Sequence, residues 1–405
     1  MDRWVLCAAV IAGLVTLPIV AVIWLAFFPT ENIWPHLIAT SLPRYLSNSL
    51  IIMGAVALLA SVIGTFCAWM VVTKEFPMRR ILEWALLFPL AIPAYIGAYA
   101  FVDFWEYAGP AQTLLRDWFG WVNSRDYYFP AVRSRGAAIF VISLSLYPYV
   151  YLLARAAFRE QSSRTIEVAR ALGAGPVRAF WGVALPLARP AIGTALIMME
   201  ALNDFGAVEF FAVQTLTTGI FTVWLESSNV GGAAQIAVVI FVVVMFLVLL
   251  ERYSRRKMRV HQRGNQSTPP ARDVLSVGRG VLVMFLCALP VIFGFIMPFA
   301  IMFEHALSVT DLWSEPVFLR AIWTSIWVGL AAAFVTVGAA MILIFAIRSS
   351  RSELPKMLAP VATIGYAAPG AVLAVGILIP MAFFDRNLAD LVEALTGVDI
   401  GLLIT

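Results

Sequence analysis

Charge is what this chain has least of. Only 13% of its 405 residues are Asp, Glu, Lys or Arg, against about a quarter in soluble proteins. With 61% hydrophobic residues and a mean hydropathy of +0.88, a water-soluble globular domain is excluded as the main architecture. Cysteine is scarce too. Cys7, Cys67 and Cys287 sit inside apolar runs without metal or redox spacing, which excludes a disulfide framework and reads as small buried hydrophobes. The three histidines, His36, His261 and His305, are isolated and form no metal-ligand pattern. No G-x-x-x-x-G-K-[ST] run occurs, so the chain hydrolyses no ATP by itself. No Ser/His/Asp, His-rich or Cys-rich constellation appears either, which leaves no catalytic residue to name and little support for a membrane-embedded enzyme.

What is there is a series of long apolar runs. They cover residues 4–28, 48–72, 81–105, 136–158, 191–213 and 232–250, then 279–303, 323–348 and 357–383, and a tenth begins near Asp399. Unbroken runs of this length predict membrane-spanning helices rather than the alternating strands of a barrel. The first run is too long for a signal-peptide core and no A-x-A site follows, so it reads as a retained span. Residues 251–278 are basic and contain Pro and Ser, which reads as a cytoplasmic linker. With the N-terminus inside, 21 of the 28 Lys and Arg fall on the cytoplasmic side, a strong positive-inside bias. The net charge of +4 is therefore a topology signal and not one for nucleic acid.

The chain also repeats. An offset of 276 places Arg3 on Arg279, Ser49 on Ser325, Arg80 on Lys356, and Pro93-Ala94 on Pro369-Gly370. The small pair Ala60 and Gly64 falls on Thr336 and Ala340, where helix backbones can approach closely. The expected fold is an all-α polytopic membrane protein built as a tandem parallel repeat of six-span units. Residues 1–250 form the first half, 251–278 the linker, and 279–405 an incomplete second half of about three spans and the start of a fourth.

One polar-flanked stretch stands out, residues 161–190, QSSRTIEVARALGAGPVRAFWGVALPLARP. Ser162 and Ser163 can cap a first turn, Glu167 and Arg170 share a face, Gly173 supplies a stop and Pro176 opens a second helix. Read for its spacing, Glu167-Val168-Ala169, Gly173, Val183 and Leu185-Pro186 resemble E-A-A-x-x-x-G-x9-I-x-L-P. That is the coupling loop of bacterial binding-protein-dependent ABC-importer permeases, with Val168 and Val183 as mild departures. Two fused halves, and the run from Ala201 to Ile220 followed by Val223-Trp224-Leu225, resemble the iron(III) group of that superfamily. The resemblance implies a multi-pass protein of the bacterial inner membrane that binds no cofactor directly. It also implies a pair of cytoplasmic ABC ATPase subunits using ATP and Mg, and a periplasmic iron-binding protein. Glu167, Ala169, Gly173, Leu185 and Pro186 would then form the ATPase-coupling contact; otherwise the segment is an amphipathic helix on the membrane surface.

Glu200, Asn203 and Asp204 lie one helical turn apart in the run 191–213, with Glu209 nearer its outer end. Carboxylates at membrane depth are costly and face a bundle interior or a pathway, and their oxygens suit hard cations. A translocation path and interhelical hydrogen bonding are both open for these four. Pro89, Pro93, Pro360 and Pro369 interrupt two other runs, either as a hinge or as ordinary kinks. The outer segments hold 14 acidic and 7 basic residues, a bias that can orient a docking protein and equally reads as solvated loop charge. Thiamine or phosphonate permeases share the fused architecture, and a secondary transporter using Glu200 and Asp204 as a proton or sodium relay is the reading from another class. A cysteine introduced at Gly175 should react with a membrane-impermeant maleimide in inverted vesicles and not in intact cells. Labelling from the periplasm would invert the topology.

Overall fold

In the computed structural model, residues 3–29, 31–161, 168–169, 171–188, 194–256, 272–350 and 352–396 are described. Leu, Val, Ile, Ala and Phe fill the apolar runs, and most of these fold into long helices. The helices are α1 (Arg3–Phe27), α2 (Trp34–Ala39), α3 (Leu42–Thr73), α4 (Arg79–Ala85), α5 (Ala94–Trp105), α6 (Pro110–Phe119) and α7 (Arg135–Glu160). After residue 175 come α8 (Pro176–Ala179), a π-turn (Phe180–Ala184), α9 (Leu185–Ala188), α10 (Thr194–Asn203), α11 (Gly206–Phe210), α12 (Leu216–Phe221) and α13 (Val230–Arg256). The chain continues through α14 (Val277–Val291), a second π-turn (Ile292–Ile296), α15 (Met297–Ser308), α16 (Pro316–Ser349), α17 (Leu354–Ala367) and α18 (Gly370–Thr396). Two short strands, β1 (Lys74–Glu75) and β2 (Asp273–Val274), pair in parallel. Among the described residues, seven helical stretches are long and apolar enough to cross a membrane, and an eighth is added if a pair bent by 95° counts as one. The all-helical polytopic architecture is therefore as the hydropathy implied.

Three expected spans differ. Residues 81–105 do not form one helix: α4 gives way to a 3-10 turn (Phe88–Ala91), Pro93 caps α5, and the chain bends by 95°. Pro89 and Pro93 each lack an N–H, so the backbone cannot continue its i to i−4 ladder there. The run 191–213 is likewise interrupted. Its first three residues lie outside the described set, α10 stops at Asn203, and the Asp204 carboxylate accepts a 2.8 Å bond from the Ala207 N–H at the start of α11. A side-chain acceptor at that position competes with the helical ladder and starts a new helix instead. The run 357–383 parts at Ala368-Pro369 between α17 and α18, while Pro360 sits inside α17 without ending it. Asp399 lies outside the described residues.

The chain divides into two units that do not follow chain order. One holds residues 1–43, 219–245 and 305–405; the other holds 44–218 and 246–304. In the first, α1 packs against α16, α17 and α18. Gly365 and Gly376 make room there, since a Cβ at either would collide with Val15 or the Pro18 carbonyl. In the second, α14 packs on α4, and the π-turn that follows it packs on the 3-10 turn and on α7. The buried thiols of Cys67 and Cys287 lie within hydrogen-bonding reach of each other there, joining α3 to α14.

Gly64 decides the central crossing of the second unit. A Cβ there would lie 2.7 Å from Val150 Cβ and 2.8 Å from the Tyr147 carbonyl oxygen, so α3 and α7 touch through bare backbone. The small pair Ala60 and Gly64 thus does what its spacing implied, whereas its offset partners Thr336 and Ala340 are exposed on α16. Gly64→Leu should lower thermal stability by about 1–3 kcal/mol through overpacking. Gly54→Leu, with nothing within 4 Å, should leave it unchanged in the same detergent melting assay.

Candidate functional site

Two features of the second unit carry the sequence-predicted residues. The first is the segment after α7. Gly173 adopts φ +85, and the Ala174 N–H reaches back 3.0 Å to the Ala169 carbonyl. This is a glycine-terminated helix end in which the left-handed residue closes a six-to-one bond. Pro176 then starts α8, where its missing N–H costs nothing. Val168, Leu172, Val177 and Trp181 are all more than half exposed, Leu172 at 83%. Such an apolar face on a short helix-turn-helix is built for contact with something. Ala169 is half-buried, and Leu185 and Pro186 are half-buried in α9. Glu167 lies outside the described residues, as do Ser162, Ser163 and Arg170.

The far end of the segment is held. Phe180 meets Trp69 at 5.1 Å and Phe158 at 6.5 Å between ring centroids, and Trp69 meets Phe158 at 5.2 Å. Gln161, at the end of α7, donates a 2.9 Å bond to the Ala184 carbonyl inside the π-turn. That bond ties the end of α7 to the π-turn. The second half of the segment is therefore fastened to α3 and α7.

The second feature is a cavity of about 360 Å³. One wall is the interrupted stretch between α4 and α5 (Leu90, Ile92, Pro93, Ala94), a second is α7 (Ser145, Leu146, Tyr149), and the third is the end of α10 (Glu200, Asn203, Asp204, Phe205). Three of the four predicted pathway residues thus meet around one space. Glu209 does not: it is exposed on α11 and outside the lining. The Asn203 side-chain oxygen is buried and finds no partner among the described residues, which leaves an acceptor for a polar guest. The Asp204 backbone is fixed from below, its carbonyl accepting 3.1 Å from Thr217 Oγ1. Ser145 and Tyr149, which complete the polar lining, carried no sequence signal, because each sits singly in an apolar helix.

Sequence reasoning also missed a charged knot at the base of the unit. The Glu83 carboxylate accepts from Arg79 at 3.1 Å and from Arg155 and Arg159, and Tyr151 Oη donates 2.9 Å to the Glu83 carbonyl. The i,i+4 spacings of Arg79 with Glu83 and of Arg155 with Arg159 were visible, but their convergence was not.

Comparison with known proteins follows the same geometry. Residues 60–260, which contain both features, match the family described as binding-protein-dependent transport system inner membrane component. The match spans just under half of the chain. Relatives include the Fe(3+)-transport system permease protein FbpB 2 of Haemophilus influenzae, 27% identical over 339 residues. The match covers 82% of this chain and 62% of that protein, so the chain spans less than two thirds of its length. The molybdenum transport system permease protein ModB of Escherichia coli is 28% identical over 204 residues, 48% of this chain and 86% of ModB. Among solved structures, a bacterial ABC transporter that imports alginate superposes with TM-score 0.48 at 17% identity, over 60% of this chain and 89% of that one.

The Asp204 cap yields a test. Asp204→Ala should lower stability by about 1 kcal/mol through the lost acceptor, while Asp204→Asn, which keeps an acceptor for the Ala207 N–H, should melt as the parent does. Equal losses in both would mean that the charge, and not the cap, holds α10 against α11.

Proposed function

We propose that this chain is the membrane-spanning permease subunit of an ATP-driven importer of iron(III), with the N-terminus in the cytoplasm. ATP and Mg are used in a separate pair of cytoplasmic ABC ATPase subunits, and iron(III) is handed over by a periplasmic binding protein. The observation that carries this reading is the exposed helix-turn-helix at Val168–Val177, whose residue spacing resembles a coupling loop and whose far end runs on toward α10. A motor that grips the exposed face would act along the chain on the helix bearing Glu200, Asn203 and Asp204. The family match over residues 60–260 supports the same assignment.

The cavity supports a cation over an oxyanion. Relatives include permeases named for iron(III) and for molybdenum; two carboxylates beside an open amide oxygen repel molybdate or sulfate and suit a hard cation. Bilayer embedding and tandem construction fit as well. The bounds of α3, to within two residues, and the start of α5 recur in α16 and α18 at the offset of 276, including the proline that precedes α5 and α18.

Reconstituted with its ATPase subunits, the chain should take up radiolabelled iron(III) from its loaded binding protein only when ATP is present, and an uncoupler should have no effect. Asp204→Asn should cut uptake about tenfold or more with assembly intact, the scale of a lost charge contact. Uptake that survives ATP depletion and collapses with the uncoupler would select a secondary transporter. Full uptake by Asp204→Asn would remove the carboxylate from the pathway.

A further inference from the structure

The cavity has a wall that the coupling segment does not reach through the chain. The segment continues along the backbone to α10, but the facing wall, at Leu90 and Pro93, lies far earlier in sequence. A route of polar contacts closes that gap. The Ala184 carbonyl is held by Gln161, Gln161 ends α7, and two and six residues earlier α7 offers Arg159 and Arg155 to the Glu83 carboxylate. Glu83 lies in α4, which leads directly into the 3-10 turn that forms the facing wall. Its side chain is 11% exposed, as is that of Arg155, so water competes little for the bond between these two. Alongside them, Arg79 donates to the same carboxylate and to the Val71 carbonyl at 3.3 Å, which ties the end of α3 into the knot.

We infer that Glu83 is a positioning residue that keeps the Leu90 wall in register with the coupling segment, so that both sides of the cavity shift together when the segment is pulled. The inference rests on the reading of the chain as an ATP-driven permease and adds a residue-level link to it. Three cationic groups converge on one carboxylate, so removing that charge leaves the buried Arg155 without its carboxylate partner and frees α7 to move without α4. The backbone bond from Tyr151 to Glu83 survives a side-chain change, which favours folding of the isosteric variant.

The test reads the two walls separately. In the complex with its ATPase subunits, with Cys7, Cys67 and Cys287 replaced by Ser, single cysteines are placed at Leu90 and at Phe205. Their reaction with a water-soluble maleimide is followed with and without Mg and a non-hydrolysable ATP analogue. With Glu83 present, nucleotide should change the labelling rate at both sites. In Glu83→Gln the change at Phe205 should persist while that at Leu90 shrinks at least about fivefold, the low end of coupling factors between linked sites. The charge-swapped pair Glu83→Arg with Arg155→Glu should restore part of the Leu90 response, which a merely structural role would not. Because the Phe205 response itself reports a folded, coupled complex, a variant that fails to fold is recognised, and Arg155→Lys then takes its place. An undiminished Leu90 response in Glu83→Gln, or in Arg155→Lys where that variant stands in, overturns the inference. No nucleotide response at either site in the parent overturns the ATP-driven reading itself, and the inference falls with it.

Discussion

Hydrocarbon offers no hydrogen bonds, so a helix inside a membrane stops only where protein can take up its loose backbone groups. That constraint locates the centre of this molecule. Between α4 and α5 the interruption uses two prolines, which have no N–H to lose. Between α10 and α11 it uses the Asp204 carboxylate for the Ala207 N–H, and Thr217 for the Asp204 carbonyl. Ser49 on α3 likewise takes the Leu216 N–H at 2.9 Å, where α12 begins. The two interruptions line one cavity, and α7 closes it. Polar side chains lining a cavity between helices cost less than the same groups on an intact, lipid-facing helix.

The Phe180, Trp69 and Phe158 rings and the Gln161 bond fix the stretch Phe180–Ala184, while Val168 and Leu172 before the Gly173 turn and Val177 after it are exposed. Below the cavity, one buried carboxylate shared by three guanidinium groups ties α4 to α7. Such a knot contributes little net stability once desolvation is counted, but it tolerates only one arrangement of its partners. Position, more than stability, is what it supplies.

The membrane-spanning helices α1, α3, α7, α13 and α16 were legible from hydropathy because each run is apolar throughout and free of competing caps. The broken ones were not. Averaged hydropathy is blind to direction, so 191–213 looked continuous although Asp204 stood at the eventual break, while the prolines of 81–105 and 357–383 were read as a hinge or a kink and not as the end of a helix. Asp204 was read for its charge when its local role is to cap. The Gly173 stop and Pro176 start were legible because they are set by backbone geometry alone. Glu83 with Arg155, and Cys67 with Cys287, were out of reach: their partners are 72 and 220 positions apart in the sequence, and only the packed helices bring them together.

The central claim is that an ATPase grips the helix-turn-helix after α7. Hydrogen–deuterium exchange of the chain alone and bound to its ATPase subunits tests it most directly. Amide exchange should slow across residues 168–182 on binding and stay unchanged in the opposite loop at 120–134. Unchanged exchange at 168–182 in a complex that has demonstrably formed would contradict the account.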